Sequence, residues 1–245
     1  MSAHETPSYL DLSKMIDHSL LNPTLTMDVL ERGIRLALAY DTGSVCIMPF
    51  ALKHCAELLR GSTVKASTTI GFPHGGHTTT IKVAEARQAI TDGCEELDMV
   101  VNISQVLTGE WAYVQEDIHG VVQVAHDAGQ KVKVIFENCY LNNDQKIRLC
   151  EICNMVGADW VKTSTGYGTS GSTDEDLVLM RTHARADVQV KAAGGIRDLD
   201  ALLRVRALGV TRVGATATAV ILEEFCRRNG LAPVIGPVGV APAGY

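Results

Sequence analysis

Short β-rich segments recur about every 28 residues along this chain, and a longer amphipathic stretch follows each of them. Candidate strands lie at Met15–Ser19, Ser44–Met48, Val64–Ile70, Glu95–Val100, Val132–Glu137, Asp159–Thr163, Val188–Ala192 and Thr211–Val213. Strands that alternate with helices pair in parallel, because parallel neighbours need a crossover connection. Helical patterns over Met27–Ala39, Thr80–Thr91, Glu110–Ala128, Asp144–Val156 and Asp198–Leu208 space apolar residues three to four apart, and a glycine after each supplies a left-handed stop. Eight such units predict an α/β fold, a single (β/α)8 TIM barrel, whose usual size of about 250 residues matches the 245 present. An open doubly wound sheet is the competitor. Its glycine-rich turn belongs after the first strand, where this chain has Leu20-Leu21-Asn22-Pro23.

The barrel is expected to occupy residues 1–229, leaving 230–245 as a Gly/Pro-rich tail of limited order, since four glycines and three prolines there break any packed element. A hydrophobic content of 46% supplies a substantial core and excludes a disordered or collagen-like chain. With 22 Lys+Arg against 28 Asp+Glu and no long basic run, neither nucleic acid nor an anionic membrane surface is an expected partner. No apolar run reaches the roughly 18 residues of a span, and Met1–Leu10 has no basic region leading into an apolar one, so a cytoplasmic location is expected. Seven scattered cysteines, an odd number, point to reduced thiols rather than a disulfide framework.

Barrels of this type work at the carboxyl ends of their strands. Those positions carry Asp17 and His18, Cys46, the run Gly71-Phe72-Pro73-His74-Gly75-Gly76-His77, Asp98, Glu137, Lys162-Thr163-Ser164-Thr165-Gly166, Lys191 with Gly194-Gly195, and Gly214 with Thr216. Two lysines closing apolar strands are unusual, because burying an ammonium costs several kcal/mol. In a closed barrel Lys162 and Lys191 stand on adjacent strands, where their repulsion lowers the pKa of one amine from about 10.4 toward roughly 7 to 8. A neutral amine attacks a carbonyl and forms a Schiff base, which makes the adjacent carbon acidic. Asp98 is placed to relay the protons. Gly194-Gly195 and Gly214-Ala215-Thr216, in the loops after strands seven and eight, offer backbone N–H groups to a phosphate.

The segments Ile16-Asp17-His18, Val45-Cys46, Phe72-Pro73-His74-Gly75, Glu96-Leu97-Asp98-Met99-Val100, Val161-Lys162-Thr163-Ser164-Thr165-Gly166, Val190-Lys191-Ala192-Ala193-Gly194-Gly195-Ile196-Arg197 and Arg212-Val213-Gly214-Ala215 resemble the deoxyribose-phosphate aldolases in order and across nearly the whole chain. The resemblance implies reversible cleavage of 2-deoxy-D-ribose 5-phosphate to acetaldehyde and D-glyceraldehyde 3-phosphate, in deoxyribonucleoside catabolism, with no cofactor beyond the covalent Schiff base. By position it implies Lys162 as the Schiff-base lysine, Lys191 as the lysine that perturbs it, Asp98 as the proton-relay acid and Tyr245 as a terminal tyrosine for proton transfer. It also implies a substrate-binding set of Asp17, Cys46, Thr163, Gly166, Gly194, Gly195, Gly214 and Thr216. Family members often carry serine where Thr216 stands, and some carry a second where this chain has Ala217, so phosphate preference is the expectation most exposed to change. A homodimer or homotetramer fits such barrels, which often pair through outer helices.

His74 and His77 raise a zinc alternative, but no third ligand is evident. Cys150-x-x-Cys153 lies inside a helical pattern and reads as two helix-face thiols. A Schiff-base aldolase for another or unphosphorylated aldose, and a barrel that only binds, are the remaining alternatives.

Overall fold

The computed structural model describes residues 7–235. Eight parallel strands close into a barrel in sequence order: β1 (Ile16–Leu20), β2 (Ser44–Ile47), β3 (Lys65–Ile70), β4 (Glu96–Val100), β5 (Lys131–Ile135), β6 (Trp160–Lys162), β7 (Gln189–Ala193) and β8 (Arg212–Ala215), with β8 hydrogen-bonded back to β1. The helices among the described residues are α1 (Tyr9–Ser13), α2 (Met27–Ala39), α3 (Leu52–Leu59), α4 (Thr79–Thr91), α5 (Ile103–Thr108), α6 (Trp111–Asp127), α7 (Asn143–Val156), α8 (Asp174–His183), α9 (Leu199–Ala207) and α10 (Thr218–Arg228). The closed ring excludes the open doubly wound sheet. Each of the eight expected strands is present, and each of the five helical patterns is a helix with ends displaced by two residues or fewer.

Alternation along the strands divides the structure into two environments. Val45 and Ile47, Leu97 and Met99, Val132 and Val134, Val190 and Ala192, and Val213 and Ala215 face the helices and form the apolar core with them. The opposite parity fills the barrel itself with Asp17, Ser67, Asp98, Lys133 and Lys191, all buried. Barrel interiors are ordinarily packed with branched apolar side chains. Here a buried set of charged groups takes the middle of the ring, with apolar Val100, Ile135 and Trp160 on the same parity around it.

Two local expectations change. Gly43 does not supply the left-handed stop after α2; Asp41 does, with φ 50°. Gly43 is required instead because a Cβ there would lie 2.4 Å from the Lys14 carbonyl oxygen. Strand β8 also runs on to Ala215, so Gly214 is a strand residue paired with Asp17 and Ala193 rather than part of the following loop. Of the tail, residues 230–235 turn back on α10, where the Glu223 carboxylate accepts from the backbone N–H groups of Val234 and Ile235 at 3.1 Å each. Tyr245 lies outside the described residues.

Candidate active site

Strands β6 and β7 are in register with Lys162 opposite Lys191, and the two amines converge on one carboxylate oxygen. Lys162 Nζ donates to Asp98 Oδ2 at 2.6 Å, and Lys191 Nζ donates to the same atom at 2.7 Å. Lys191 also reaches Asp17 Oδ2 at 2.5 Å. The other Asp98 oxygen accepts from Lys133 Nζ at 2.9 Å. Lys133 in turn bridges to Glu96 at 2.6 Å and to Asp17 at 3.3 Å. Arg212 completes the set by donating to Asp17 Oδ1 and to Glu96, the latter at 2.7 Å.

These contacts move the two lysines in opposite directions. Burial first, and the Lys191 cation second, push Lys162 below the ordinary lysine value, with Asp98 opposing them. Burial alone would also lower Lys191, but Asp17 and Asp98 together hold it above the ordinary value. The same balance keeps Asp98 ionised: burial would raise it, and Lys133, Lys162 and Lys191 carry it far below the usual carboxylate range. The expectation that repulsion from Lys191 sets the Lys162 amine is therefore reordered, since dehydration is the larger cause.

A cavity of about 330 Å³ opens at the carboxyl ends of β1, β6, β7 and β8. Lys162, Gly166, Gly194, Gly195, Gly214 and Thr216 line it, as do Ser19, Tyr167 and Arg197. Lys191, Asp98, Asp17, Cys46 and Thr163 do not; they stand behind the cavity floor. Asp17 is wholly buried and engaged by Lys191 and Arg212. Thr163 uses its hydroxyl on β7, donating to the Ala193 carbonyl at 3.3 Å and accepting from the Ala193 N–H at 3.1 Å. Cys46 is buried, and burial followed by the Asp98 charge raises its thiol pKa.

The glycine wall has a packing cause as well. A Cβ on Gly194, whose φ is 81°, would lie 2.7 Å from Gly171 Cα. The loops after β6 and β7 meet there backbone to backbone, and Ser172 N–H donates to the Ala193 carbonyl at 3.0 Å. On the other side of the β6 loop, Glu137 takes up a left-handed φ of 58°. Its carboxylate accepts from Thr165 N–H at 3.1 Å and from the Thr165 hydroxyl. Tyr167, next along, donates its hydroxyl to the Leu21 carbonyl at 2.9 Å and meets Phe72 edge to face at 5.5 Å between centroids.

Lys133, Glu96, Arg212, Arg197 and Tyr167 are members of this region that the sequence reading did not select for roles. Lys133 repeats the signal used for the other two lysines, a cation inside an apolar strand. His74 and His77 are exposed, and among the described residues no three His, Cys, Asp or Glu side chains gather where a metal ion could be held. Cys150 and Cys153 are buried in α7, where burial raises both thiols, Cys150 to about 12. Among the described residues no helix is long and apolar enough to cross a membrane.

Several known proteins share this architecture and sequence. A deoxyribose-phosphate aldolase of Rhodopirellula baltica is 63% identical over 97% of this chain and 98% of its own length. One from Thermococcus gammatolerans is 44% identical over 87% and 96%. The tetrameric deoxyribose phosphate aldolase structure from Aeropyrum pernix superimposes with a TM-score of 0.83 at 30% identity, covering 89% of this chain and 92% of that one. Residues 12–231, which hold every strand of the barrel and both lysines of the site, match the DeoC/LacD family aldolases, and the chain belongs to that family.

Proposed function

We propose that this protein reversibly cleaves 2-deoxy-D-ribose 5-phosphate to acetaldehyde and D-glyceraldehyde 3-phosphate through a Schiff base on Lys162, a step suited to deoxyribonucleoside catabolism. The observation that carries the reading is that Lys162 reaches the cavity while Lys191 stands behind it, both amines being held on one oxygen of Asp98. The lysine that meets substrate is the one whose pKa is lowered, and the one raised remains a fixed cation.

The neutral Lys162 amine attacks the C1 aldehyde carbon to give a carbinolamine. Loss of water, with a proton delivered to the departing hydroxyl, leaves a protonated imine. A base removes the proton of the C3 hydroxyl, the C2–C3 bond breaks, and its electron pair moves into the imine to form an enamine. Glyceraldehyde 3-phosphate departs with the C3 carbonyl. Protonation of the enamine at C2 and addition of water then release acetaldehyde and free Lys162. Asp98, joined to both amines, hands protons on and off during carbinolamine formation and dehydration. Tyr245 enters the proposal only through the resemblance, as the group exchanging the proton at C2.

The phosphate is assigned to the rim at Gly194, Gly195, Gly214, Thr216 and Arg197, which combines main-chain N–H groups with one exposed guanidinium. The test is borohydride reduction in the presence of deoxyribose 5-phosphate. The expected product is a covalent adduct on Lys162, with Lys162→Ala losing at least about 10³-fold in turnover while its circular dichroism is unchanged. Substantial turnover in that variant overturns the nucleophile. Equal turnover of deoxyribose and its 5-phosphate overturns the phosphate assignment alone.

A further inference from the structure

The ion network does not stop at the catalytic floor. Asp17, Glu96 and Asp98 contribute three negative charges inside the ring, and Lys133, Lys191 and Arg212 contribute three positive ones, so that Lys162 is the one amine left over. A dry enclosure holds a balanced set of charges far more readily than an unbalanced one. Arg212 and Glu96 lie at the first residues of β8 and β4, at the opposite end of the barrel from the cavity. Both terminal nitrogens of Arg212 engage this set, since Nη1 donates to Asp17 Oδ1 and Nη2 to Glu96 Oε1. Its guanidinium lies 5.3 Å from the centre of the Trp160 ring, which closes that end of the barrel beneath Lys133 at 5.8 Å.

We propose that Arg212 and Glu96 are positioning residues for the aldol chemistry, which as opposite members of one sealed charge set fix whether Lys162 carries its proton. The path is continuous: Arg212 holds one oxygen of Asp17, the other oxygen holds Lys191, and Lys191 shares Asp98 Oδ2 with Lys162. Every strand faces this set. Asp17 comes from β1, Cys46 from β2 and Ser67 from β3, its hydroxyl 3.5 Å from Asp98 Oδ1; Glu96 and Asp98 come from β4. Lys133 comes from β5, with Lys131 at the strand entrance 5.3 Å from the centre of the Trp160 ring; Lys162, Lys191 and Arg212 come from β6, β7 and β8. The thiol and hydroxyl are neutral, so the balance rests on the six charged partners of Lys162.

The sign of the effect follows from the count. Removing the Arg212 charge leaves the interior one negative charge in excess, which favours a protonated Lys162. Removing the Glu96 charge leaves one positive charge in excess, which favours the free amine. Lys162, Lys191 and Arg212 are register neighbours on three successive strands, so two strand spacings separate the outer pair by about 10 Å. At an effective dielectric constant of about 20, a unit charge at that range moves a pKa by about one unit.

The inference rests on the Schiff-base reading above, and the experiment separates the two. The rate of adduct formation between the enzyme and acetaldehyde, quenched with borohydride, is measured against pH for Arg212→Gln, Glu96→Gln and the double variant. The expected result is that the ascending limb moves up by about one pH unit in Arg212→Gln, down by about one unit in Glu96→Gln, and returns near the parent in the double variant. Arg212→Lys keeps the charge without the fork and is expected to leave the limb in place. A purely structural role changes amplitude or stability in one direction and does not produce opposed shifts that cancel. If Arg212→Gln does not fold, Glu96→Gln alone decides: an unshifted limb, or one shifted upward, overturns the proposal. An adduct with unmoved limbs in every folded variant overturns the charge assignment and leaves the Schiff base standing, whereas absence of adduct in the parent enzyme overturns the Schiff base itself.

Discussion

Replacing Lys191 by leucine removes the cation between Asp17 and Asp98, and Asp98 then acts on Lys162 with less competition. The Lys162 pKa is expected to rise, moving the ascending limb of the pH–rate profile upward by about one to two units. An unmoved limb would mean that burial alone depresses the amine. The three residues at this focus were legible in the sequence because each is a charged side chain on the inward-facing parity of a largely apolar strand, although only Lys162 ends its strand while Asp98 and Lys191 stand at the middle of theirs. Lys133 carried the same signature in Lys131-Val132-Lys133-Val134, so its place was available to the same argument. Arg212 gave no such signal: a long cationic side chain at the first residue of a strand is ordinarily expected to reach water. Its burial depends on Glu96, which is 116 positions away in the chain and adjacent only once the ring has closed.

Helix α4 is tied to α6 and to the end of β4 by a second buried pair. Lys82 Nζ donates to Asp117 at 2.5 Å and to the Val100 carbonyl at 2.8 Å, and neither side chain of the pair is more than 1% exposed. Burial lowers the lysine and raises the aspartate, each against the pull of its partner. Lys82→Met should destabilise the protein by about 3–5 kcal/mol in chemical denaturation, because it strands a buried carboxylate, while Lys82→Met with Asp117→Leu should recover most of the loss. Equal loss in both would show that the pair is not the source. Helices of this kind were legible where an apolar stripe ran long enough, as in α2, α6 and α7. Helix α3 is only eight residues, follows a short 3-10 turn at Pro49–Ala51 and has no side-chain cap, so its pattern is brief. Helix α8 opens on Asp174-Glu175-Asp176, directly after a run of glycine, serine and threonine, and is readable as a continuation of that loop.

Across the whole barrel, acid should act in two stages. His18, on the outer face of β1 with Nδ1 2.9 Å from the Thr218 hydroxyl, is lowered by burial from 6.5 to about 4. The unfolded chain therefore binds this proton before the folded one does, and stability declines as pH falls from about 6.5 to about 4, by roughly 3 kcal/mol. Asp17 and Asp98 are lowered by their cations despite burial, so the stability they contribute is present above the ordinary carboxylate pKa and is lost as pH falls below it. Urea midpoints followed from pH 7 to 3 should show both stages, and His18→Gln should flatten the first. The closure of the ring was legible because eight strand–helix units use up the chain and no glycine-rich turn follows the first strand, as an open doubly wound sheet would want. The charge of the interior was not, since it is a property of the sum and of no single segment. On the proposed reading the Lys162 amine answers to that sum, whereas the opposite end of the cavity is assembled from main chain where the loops after β6 and β7 touch at Gly171 and Gly194. If both assignments hold, a substitution at the rim changes which aldehyde is accepted while the buried ions that govern the amine keep their partners.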